Sequence, residues 1–370
     1  MHPPGSRRCA ARRPSPFFDS DRIKVFCMQR IAVTGSSGYY GSRLIRYIRD
    51  TDPQIEILGI DVAPPRGSAH GSAHGPGPHE FAGVDVRSPK LKRVLLDFRP
   101  DTVVHLAFVV NPIHDESRMH DININGSQNV FDAVHEIGPD RFLVASSATA
   151  FGAWPDNPLP IDDHFPVRGR AGFKYSHDKT RLERMLGEFA DRHARIAVSW
   201  VRPCIIYGPG VDNFLSQLLL EHPVVVLPDG HDVPQQFVHE DDVAAATWHI
   251  LARGGRGPYN VGPPDWIYLT DVARETGRRA IKIPLFIMQA TTWVCWVLRL
   301  PVLRFPPAMN LYIRYPWIVA PNRLCGELGF QFEFSSLETL RELLRAQGKL
   351  ATSPSDVQPE PCASQHRVAA

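Results

Sequence analysis

The 370-residue sequence lacks several features that would place it in a specialised class of protein. Its 41 lysine and arginine residues nearly balance 39 acidic residues, so no basic field for a nucleic acid is expected. Its longest strongly apolar run, Ile283 to Leu298, is shorter than the roughly 18 residues that a transmembrane helix needs. The remaining composition is that of a globular protein, which excludes the disordered and collagen-like classes.

Paired cysteines are also missing. No Cys-x-x-Cys pair and no histidine pair at zinc spacing accompanies any cysteine, so neither a structural zinc site nor another metal site is expected. We interpret the cysteines as free thiols of a reducing compartment, which favours a cytoplasmic protein. They are Cys9, Cys27, Cys204, Cys295, Cys325 and Cys362.

The first 27 residues are rich in arginine but contain no signal-peptide core, because the stretch from Asp19 to Cys27 is too polar. Secretion is therefore disfavoured. An arginine-rich, acid-poor leader is also typical of organelle transit segments, and a start site assigned too far upstream would explain it equally well. We expect residues 1–27 to be a disordered or mis-assigned extension.

From Met28 onward, short apolar runs alternate with segments of helical periodicity. This alternation predicts an α/β fold, a Rossmann-type doubly wound parallel sheet with a smaller C-terminal substrate lobe. The predicted strands are Arg30 to Thr34, Ile55 to Ile60, Thr102 to Leu106, Arg141 to Ala145 and Ile196 to Val201. Helices are predicted after Gly41, around Asn125 to Ile137, and from Phe173 to about His193.

A glycine-rich turn, Gly35-Ser-Ser-Gly38-Tyr-Tyr-Gly41, joins the first strand to the first helix. Glycines allow a tight turn and let a pyrophosphate approach the helix N-terminus, which attracts anions. Asp61 follows at the end of the second strand, where a carboxylate accepts hydrogen bonds from ribose hydroxyls and repels a 2′-phosphate. NAD is therefore favoured over NADP, with Arg66 keeping NADP as the alternative.

These features predict how the chain is divided into domains. Residues 28–209 are expected to form an NAD-binding Rossmann domain, to which 237–265 return. Residues 210–236 and 266–345 are expected to form a substrate-binding lobe, and 346–370 a disordered tail. The stretch from Pro64 to His79 repeats the sequence GSAH and is interpreted as a flexible surface insertion, because no acidic or thiol partner accompanies its histidines.

A second group of residues is suited to acid/base chemistry. Tyr175 and Lys179 lie four residues apart on a predicted helix and so share one face. A nearby ammonium favours the phenolate form of tyrosine, so this pair can pass a proton to or from a carbinol oxygen. The stretch Ser146 to Gly152 follows a predicted strand, which places hydroxyls at the carboxyl edge of the sheet, where ligands bind in such folds.

Together the motifs resemble the extended short-chain dehydrogenase/reductase family, the NAD-dependent epimerase/dehydratases, over roughly Met28 to Arg345. The resemblance rests on the order and spacing of several further motifs. These are Asp85-Val86, His105 to Phe108, Asn123 to Gly126, Arg202 to Gly210, Phe237 to Val243 and Tyr259 to Gly262.

The resemblance implies roles for individual residues. Tyr175 would be the general acid/base, Lys179 would bind the nicotinamide ribose and tune Tyr175, and Ser147 would orient the substrate oxygen. Implied cofactor contacts are Gly35, Ser37, Gly38, Tyr39, Tyr40, Gly41, Asp61, Asp85, Val86, Leu106, Ala107, Asn123, Lys179 and Pro203. Implied substrate contacts are Phe108, Thr149, Ile205 and Gln236.

Departures from the family pattern bear on the substrate. Family dehydratases carry an Asp-Glu pair where this chain has Ala148-Thr149, so dehydration is disfavoured. Many nucleotide-sugar epimerases have an asparagine in place of Ile205 and an arginine near Gln236, both serving the substrate diphosphate, and an amide does not replace that arginine. Arg314 is a candidate to compensate. These differences favour a bulky, apolar, sterol-like alcohol.

The apolar run Ile283 to Leu298 allows three interpretations. The preferred one is a lobe helix that closes an apolar pocket. The others are a peripheral membrane contact through 283–304, for which Trp293, Trp296 and Arg299 suit an interface, and a buried dimer surface. The family resemblance suggests a homodimer through the Tyr175 helix, although Arg181, Glu183 and Arg184 on that helix are equally typical of a solvated face.

Three functions follow from these patterns. The first is a reversible NAD-dependent dehydrogenase or reductase of a secondary alcohol, acting on a small-molecule substrate. The second is a nucleotide-sugar 4-epimerase that uses the same groups and retains its NAD. The third is a non-catalytic dinucleotide-binding sensor or assembly protein, which would have no need of the Tyr175 and Lys179 pair.

Overall fold

The computed structural model describes residues 28–65, 77–211 and 222–350. In chain order its strands are β1 (Arg30–Thr34), β2 (Glu56–Asp61), β3 (Glu80–Gly83), β4 (Thr102–His105), β5 (Arg141–Ala145), β6 (Ala197–Pro203), β7 (Ile205–Tyr207), β8 (Val224–Pro228), β9 (Pro234–Gln235), β10 (Phe237–His239), β11 (Gly257–Val261), β12 (Ile267–Tyr268) and β13 (Arg279–Ile283). The N-terminal extension, Arg66, the GSAH repeat and residues 351–370 lie outside the described residues.

The α-helices of the described residues alternate with the strands. They are α1 (Tyr39–Thr51), α2 (Lys90–Phe98), α3 (Glu116–His120), α4 (Gly126–Ile137), α5 (Lys174–Arg192), α6 (Glu240–Ala252), α7 (Leu269–Glu275), α8 (Leu285–Val297), α9 (Asn310–Arg314), α10 (Asn322–Gly326) and α11 (Ser336–Ala346). A π-helical turn, Asp121–Asn125, joins α3 to α4, and short 3-10 turns occupy Ala148–Phe151 and Pro307–Met309.

Seven parallel strands form the central sheet in the order β11-β6-β5-β4-β1-β2-β3. The order reverses between β1 and β4, where the helices that follow the two strands leave toward opposite faces. Such a switch point opens a crevice at the carboxyl ends of the strands. The predicted Rossmann-type doubly wound parallel sheet is confirmed, and the bounds predicted for β1 and β5 match the structure.

Helices cover both faces of the sheet. One apolar cluster joins Leu44 and Ile48 of α1 to Ile250 of α6, and the other joins Leu95 of α2 to Leu182 of α5. Central strands buried on both faces need near-continuous apolar residues, and β4 and β5 are buried at every position. A third cluster contains parts of β8, α7 and α11 and forms a separate small core.

The sequence patterns missed β3 and α2. Strand β3 has four residues at the sheet edge, none of them buried, so it carries no alternation of apolar and polar residues. Helix α2 does bury Leu91, Leu95 and Phe98 along one face, a spacing that would have predicted it.

Helix α8 occupies most of the apolar run but does not pack as expected. Only Thr292 and Cys295 of its 13 residues are buried, while Phe286, Trp293 and Leu298 are exposed by 71 %, 58 % and 63 %. The preferred interpretation, a helix whose apolar side chains close a pocket, is therefore wrong for most of its length. None of the described helices is both long enough and apolar enough to cross a bilayer.

A buried ion pair fastens α5 to the sheet. Glu183 is 5 % exposed and accepts hydrogen bonds from Arg202 Nε, the Ser146 hydroxyl and the Trp200 indole, at 2.9, 2.5 and 3.1 Å. The interpretation of Glu183 as a solvated charge is wrong. Arg181 and Arg184 of the same helix are exposed.

We expect Glu183→Ala to lower the free energy of unfolding by about 3–5 kcal/mol, because it leaves the Arg202 guanidinium buried without a counter-charge. The matched control is Glu188→Ala on the same helix, whose side chain is 73 % exposed and whose loss should change stability by no more than about 0.5 kcal/mol. Urea unfolding curves measure both. Equal effects of the two substitutions would contradict the structural role of the pair.

Candidate functional site

The glycine-rich turn lies at the switch point of the sheet. Gly35 has a φ of +73°, and a Cβ there would lie 2.6 Å from the backbone nitrogen of Ala107. At Gly41 a Cβ would lie 2.2 Å from the Gly35 carbonyl oxygen. Both positions therefore require glycine, and the turn packs directly against the backbone that follows β4.

The N-terminus of α1 is suited to an anion. Gly38 caps it, no side chain accepts a hydrogen bond from its first turn, and that turn contains no acidic residue. Its N–H groups and the positive end of the helix dipole therefore face the crevice without a counter-charge from this helix. This observation fits the pyrophosphate of a dinucleotide.

Asp61 ends β2 beside this turn. Its Oδ2 accepts a hydrogen bond from the Ser37 amide at 3.0 Å, and its Oδ1 accepts from the Val62 and Ala63 amides at 2.7 and 3.3 Å. These bonds fix the carboxylate at the strand end, half-buried. Each carboxylate oxygen can accept more than one hydrogen bond, so capacity for ribose hydroxyls remains.

Tyr39 and Tyr40 use their hydroxyls within the protein. The Tyr39 hydroxyl hydrogen-bonds Glu240 and the Tyr40 hydroxyl hydrogen-bonds Thr247, both on α6. Of these two residues, only the backbone N–H groups, which lie in the first turn of α1, are positioned to bind an anion. The two side chains instead connect α1 to α6 by hydrogen bonds.

Other predicted cofactor residues, Asp85, Val86, Leu106, Ala107 and Pro203, lie at or just after the carboxyl ends of β3, β4 and β6. Arg87 hydrogen-bonds the Asp85 carboxylate at 3.0 and 2.6 Å and lowers the pKa of Asp85. Val86 packs closely on Gly126, because a Cβ added at Gly126 would lie 2.7 Å from the Val86 side chain. Leu106 and Ala107 directly follow β4, and Pro203 ends β6 in a buried position.

Ser147, Tyr175 and Lys179 meet at the carboxyl edge of β5. Ser147 caps the 3-10 turn, and a hydrogen bond links its side chain to Tyr175. Its Oγ also accepts from the Thr149 amide at 3.2 Å and from the Thr149 hydroxyl at 3.0 Å. With its lone pairs engaged by Thr149, the Ser147 hydroxyl is oriented to donate its proton.

Burial sets the protonation of the pair on α5. It raises the pKa of Tyr175 to about 12, an effect that the hydrogen bond with Ser147 partly offsets. Burial also lowers the pKa of Lys179 to about 7, which the charges of Glu183 and Asp178 oppose. At neutral pH the free protein therefore holds Tyr175 as the phenol.

Phe108 closes the site over Lys179. The Lys179 Nζ donates to the Ala145 carbonyl at 2.6 Å and lies 3.5 Å from the centroid of the Phe108 ring. The same ring meets Tyr175 edge-on, with centroids 5.7 Å apart. Phe108, predicted as a substrate contact, thus lies against both groups that are predicted to carry the proton chemistry.

Asn123 holds the loop that carries Phe108. It is fully buried in the π-helical turn, and its Oδ1 accepts from the Val109 amide at 2.7 Å. Its Nδ2 lies 3.4 Å from Asp178 Oδ2. Asp178 is also buried and binds His120 at 2.8 Å and Lys174 at 3.0 Å, so a charged network extends from the site to the surface.

The two remaining predicted substrate residues, Ile205 and Gln236, lie together. Ile205 of β7 is half-buried and lines a small cavity with Gln236 and Trp317. The Gln236 Nε2 donates to the Pro263 and Val319 carbonyls at 2.7 and 2.9 Å, and its Oε1 accepts from the Val319 amide at 3.0 Å. Both ends of this amide are thus engaged by the backbone.

No motif in the sequence predicted a role for Tyr312. Its hydroxyl lies 2.6 Å from Ser176 Oγ and 3.2 Å from the Thr149 carbonyl, so it ties α9 to the turn that presents Ser147. Ser176 in turn donates to the Thr149 carbonyl at 2.8 Å. No local pattern could reveal a contact across 136 residues of sequence.

Solved structures and curated proteins share this architecture. The UDP-glucose 4-epimerase of Thermus thermophilus, solved with NAD, superposes with a TM-score of 0.66 at 22 % identity, covering 87 % of this chain and 100 % of that one. The UDP-glucose 4-epimerase of Thermotoga maritima, solved with UDP-glucose, gives a TM-score of 0.65 at 18 % identity over 87 % and 99 % of the two chains. These similarities show the fold.

Among curated sequences, an uncharacterized protein of Mycobacterium tuberculosis is 23 % identical over 86 % of this chain and 84 % of its own length. UDP-glucuronic acid decarboxylase 4 of Arabidopsis thaliana is 25 % identical over 66 % of this chain and 56 % of its own length.

The model of the NAD dependent epimerase/dehydratase family matches residues 31–262. That range contains every predicted site residue and the whole central sheet except one residue at the start of β1. The predictions of an NAD-dependent enzyme and of this family are confirmed: the chain belongs to the NAD dependent epimerase/dehydratase family.

Proposed function

We propose that this enzyme moves a hydride reversibly between the carbon of a secondary alcohol and NAD, with Tyr175 as the general acid and base. The observation that carries the proposal is the cluster of Ser147, Tyr175 and Lys179 at the carboxyl edge of β5. NAD, when bound, supplies the acceptor or donor of the hydride. The residues of the chain handle the proton and the orientation of the substrate.

The cofactor would be held by the groups at the switch point. The free N–H groups of α1 would bind the pyrophosphate, Asp61 the adenosine ribose and Lys179 the nicotinamide ribose. Close packing of the Gly35 turn on Ala107 supports a pyrophosphate that contacts the backbone directly.

Proton transfer follows from the hydrogen bonds. A substrate oxygen placed between Ser147 and Tyr175 would accept a hydrogen bond from the Ser147 hydroxyl, which Thr149 already orients. During reduction Tyr175 gives its proton to that oxygen, and during oxidation it takes the proton back. The ammonium form of Lys179, with Nζ 5.6 Å from the Tyr175 ring, stabilises the phenolate between these steps.

For the substrate we propose a bulky, apolar alcohol of the sterol type. A diphosphate needs a charge-assisted contact, but Ile205 offers none and the Gln236 amide is engaged by the backbone. Arg314, the candidate to compensate, is paired with Asp229 at 3.0 Å. An apolar substrate gains affinity from buried area, about 25 cal/mol per Å², without such a contact.

A nucleotide-sugar 4-epimerase is the second candidate. The names of the superposed structures favour it, because two of them are UDP-glucose 4-epimerases. The same three side chains would serve, with the hydride returned to the opposite face of the sugar carbon. Such an enzyme must retain its cofactor through the cycle.

Cofactor retention separates the two candidates. We would denature freshly purified protein and quantify released nicotinamide by mass spectrometry, then titrate folded protein with UDP-glucose by calorimetry. Protein that arrives without NAD, binds added NADH and does not bind millimolar UDP-glucose supports the dehydrogenase. Stoichiometric NAD together with saturable UDP-glucose binding would assign the epimerase instead. A panel of 3-hydroxysterols and long-chain secondary alcohols, followed by NADH absorbance, then identifies the substrate.

With any substrate that turns over, Tyr175→Phe should lower kcat by about a hundredfold to ten-thousandfold, because it removes the general acid and base. NADH affinity, measured by fluorescence titration, should stay within about twofold, since a phenyl ring fills the same space. Tyr47→Phe, which removes a hydroxyl from helix α1 outside the site, is the matched control. Unchanged turnover in Tyr175→Phe would contradict the role of Tyr175 as general acid and base.

The raised pKa of Tyr175, about 12 in the free protein, predicts opposite pH profiles for the two directions. While Lys179 keeps its ammonium, below its own pKa of about 7, the phenolate fraction grows about tenfold per pH unit. The kcat/KM for alcohol oxidation should therefore rise about tenfold per unit between about pH 5 and pH 7, and less steeply above about pH 7 as the ammonium is lost. Reduction, which uses the phenol, should vary by less than about twofold over the same range. Initial rates in both directions test this, and a flat oxidation profile contradicts it.

A further inference from the structure

We propose that helix α8 and the loop after it dock on the surface of an anionic phospholipid bilayer. The helix is held to the protein along one narrow side, by a hydrogen bond of 3.0 Å from Asn310 to Thr292 and by the stacking of Trp296 on His114. Most of its apolar side chains face away from the protein. The exposed ones are Phe286, Ile287, Trp293, Val294, Val297 and Leu298, followed by Leu300 and Val302.

The exposed residues form a continuous patch. Phe286, Trp293 and Val297 recur at helical spacing along one stripe, and Ile287, Val294 and Leu298 form the adjacent stripe. Contiguous apolar patches are rare on the surfaces of proteins that act alone in water and mark interaction sites. An exposed tryptophan with basic flanks suits the region between lipid headgroups and acyl chains.

The charge around the patch selects an anionic partner. From Thr276 to Gly326 the sequence contains no aspartate or glutamate. Seven basic residues lie in the same stretch: Arg278, Arg279, Lys282, Arg299, Arg304, Arg314 and Arg323. Of these, Lys282 precedes the helix and Arg299 and Arg304 follow it, all exposed. Basic residues beside an apolar face are attracted to acidic lipid headgroups.

The carboxylate that binds the first residue of the helix does not cancel this field. Asp229 accepts a hydrogen bond from the Leu285 amide at 2.8 Å and pairs with Arg314 at 3.0 Å, so its charge is already compensated. A second copy of the chain docked on the same patch would bring two basic rims together, which costs electrostatic energy. Charge complementarity therefore favours a bilayer over a dimer.

The patch adjoins the candidate site. His114, which stacks on Trp296 with ring centroids 3.9 Å apart, belongs to the loop after β4 that also carries Phe108. Phe108 covers Lys179. A bilayer bound at α8 would thus border the loop that closes the site. This proposal does not depend on which substrate the enzyme uses.

Vesicle binding by the full chain tests the proposal. Extruded vesicles of phosphatidylcholine with phosphatidylglycerol at about 7:3, and vesicles of phosphatidylcholine alone, are mixed with the protein and separated by flotation. We expect at least about tenfold tighter partitioning to the anionic vesicles, weakened by salt because the attraction is partly electrostatic. The double variant Phe286→Ser with Trp293→Ser should lose at least about tenfold of that binding.

Two further variants make the result specific. Leu96→Ser removes an exposed leucine from α2 and should bind as the unchanged chain does. Arg299→Gln with Arg304→Gln keeps the apolar face and should weaken binding to anionic vesicles by at least about threefold while leaving binding to neutral vesicles unchanged. Circular dichroism and a thermal melt show that each variant is folded.

Three results would overturn the proposal. One is a folded chain that partitions to neither vesicle. Another is equal binding by the unchanged chain and the Phe286 and Trp293 double variant. The third is a dimer, seen by sedimentation velocity, that this double variant abolishes while no vesicle binding is found, because that result assigns the patch to a second copy.

Discussion

The buried pair of Glu183 and Arg202 is the contact on which the geometry of the site depends. Glu183 belongs to the helix that carries Tyr175 and Lys179, and it also accepts a hydrogen bond from the hydroxyl of Ser146, the neighbour of Ser147. Arg202 donates to the Asp163 carbonyl at 2.6 Å. One carboxylate thus connects the helix with the proposed proton-transfer pair to the turn with the serine proposed to orient the substrate.

The same network couples packing to acid/base chemistry. Lys179 is buried, which disfavours its charged form, while the negative charge of Glu183 favours it. The balance leaves the pKa of Lys179 near neutrality, and burial keeps Tyr175 protonated. The neighbours of the pair, and not the pair alone, therefore set the protonation at which it works.

The sequence revealed the parts of this structure whose signals are local. Strands β1 and β5 could be bounded because each contains an unbroken apolar run, Ile31 to Val33 and Phe142 to Ala145. The glycine turn and the Tyr175 pair are compact motifs. Glu183 was misjudged because a helix with charged neighbours gives no sign of a buried partner 19 residues away. The exposure of α8 was also hidden, since a helix that is apolar all round has the same pattern whether it is buried or not.

The sheet closes late in the chain, and this has a consequence for synthesis on the ribosome. Strand β11 supplies the last position beside β6, and Asn260 within it donates to the Ile161 and Ala320 carbonyls at 3.1 Å each. Asp163 is likewise fixed by the amides of Asn260 and Arg323. The segment around Asp163, which Arg202 contacts, thus gains these partners only after some 320 residues have emerged. A nascent chain therefore contains the whole Gly35 turn long before it contains a complete enzyme.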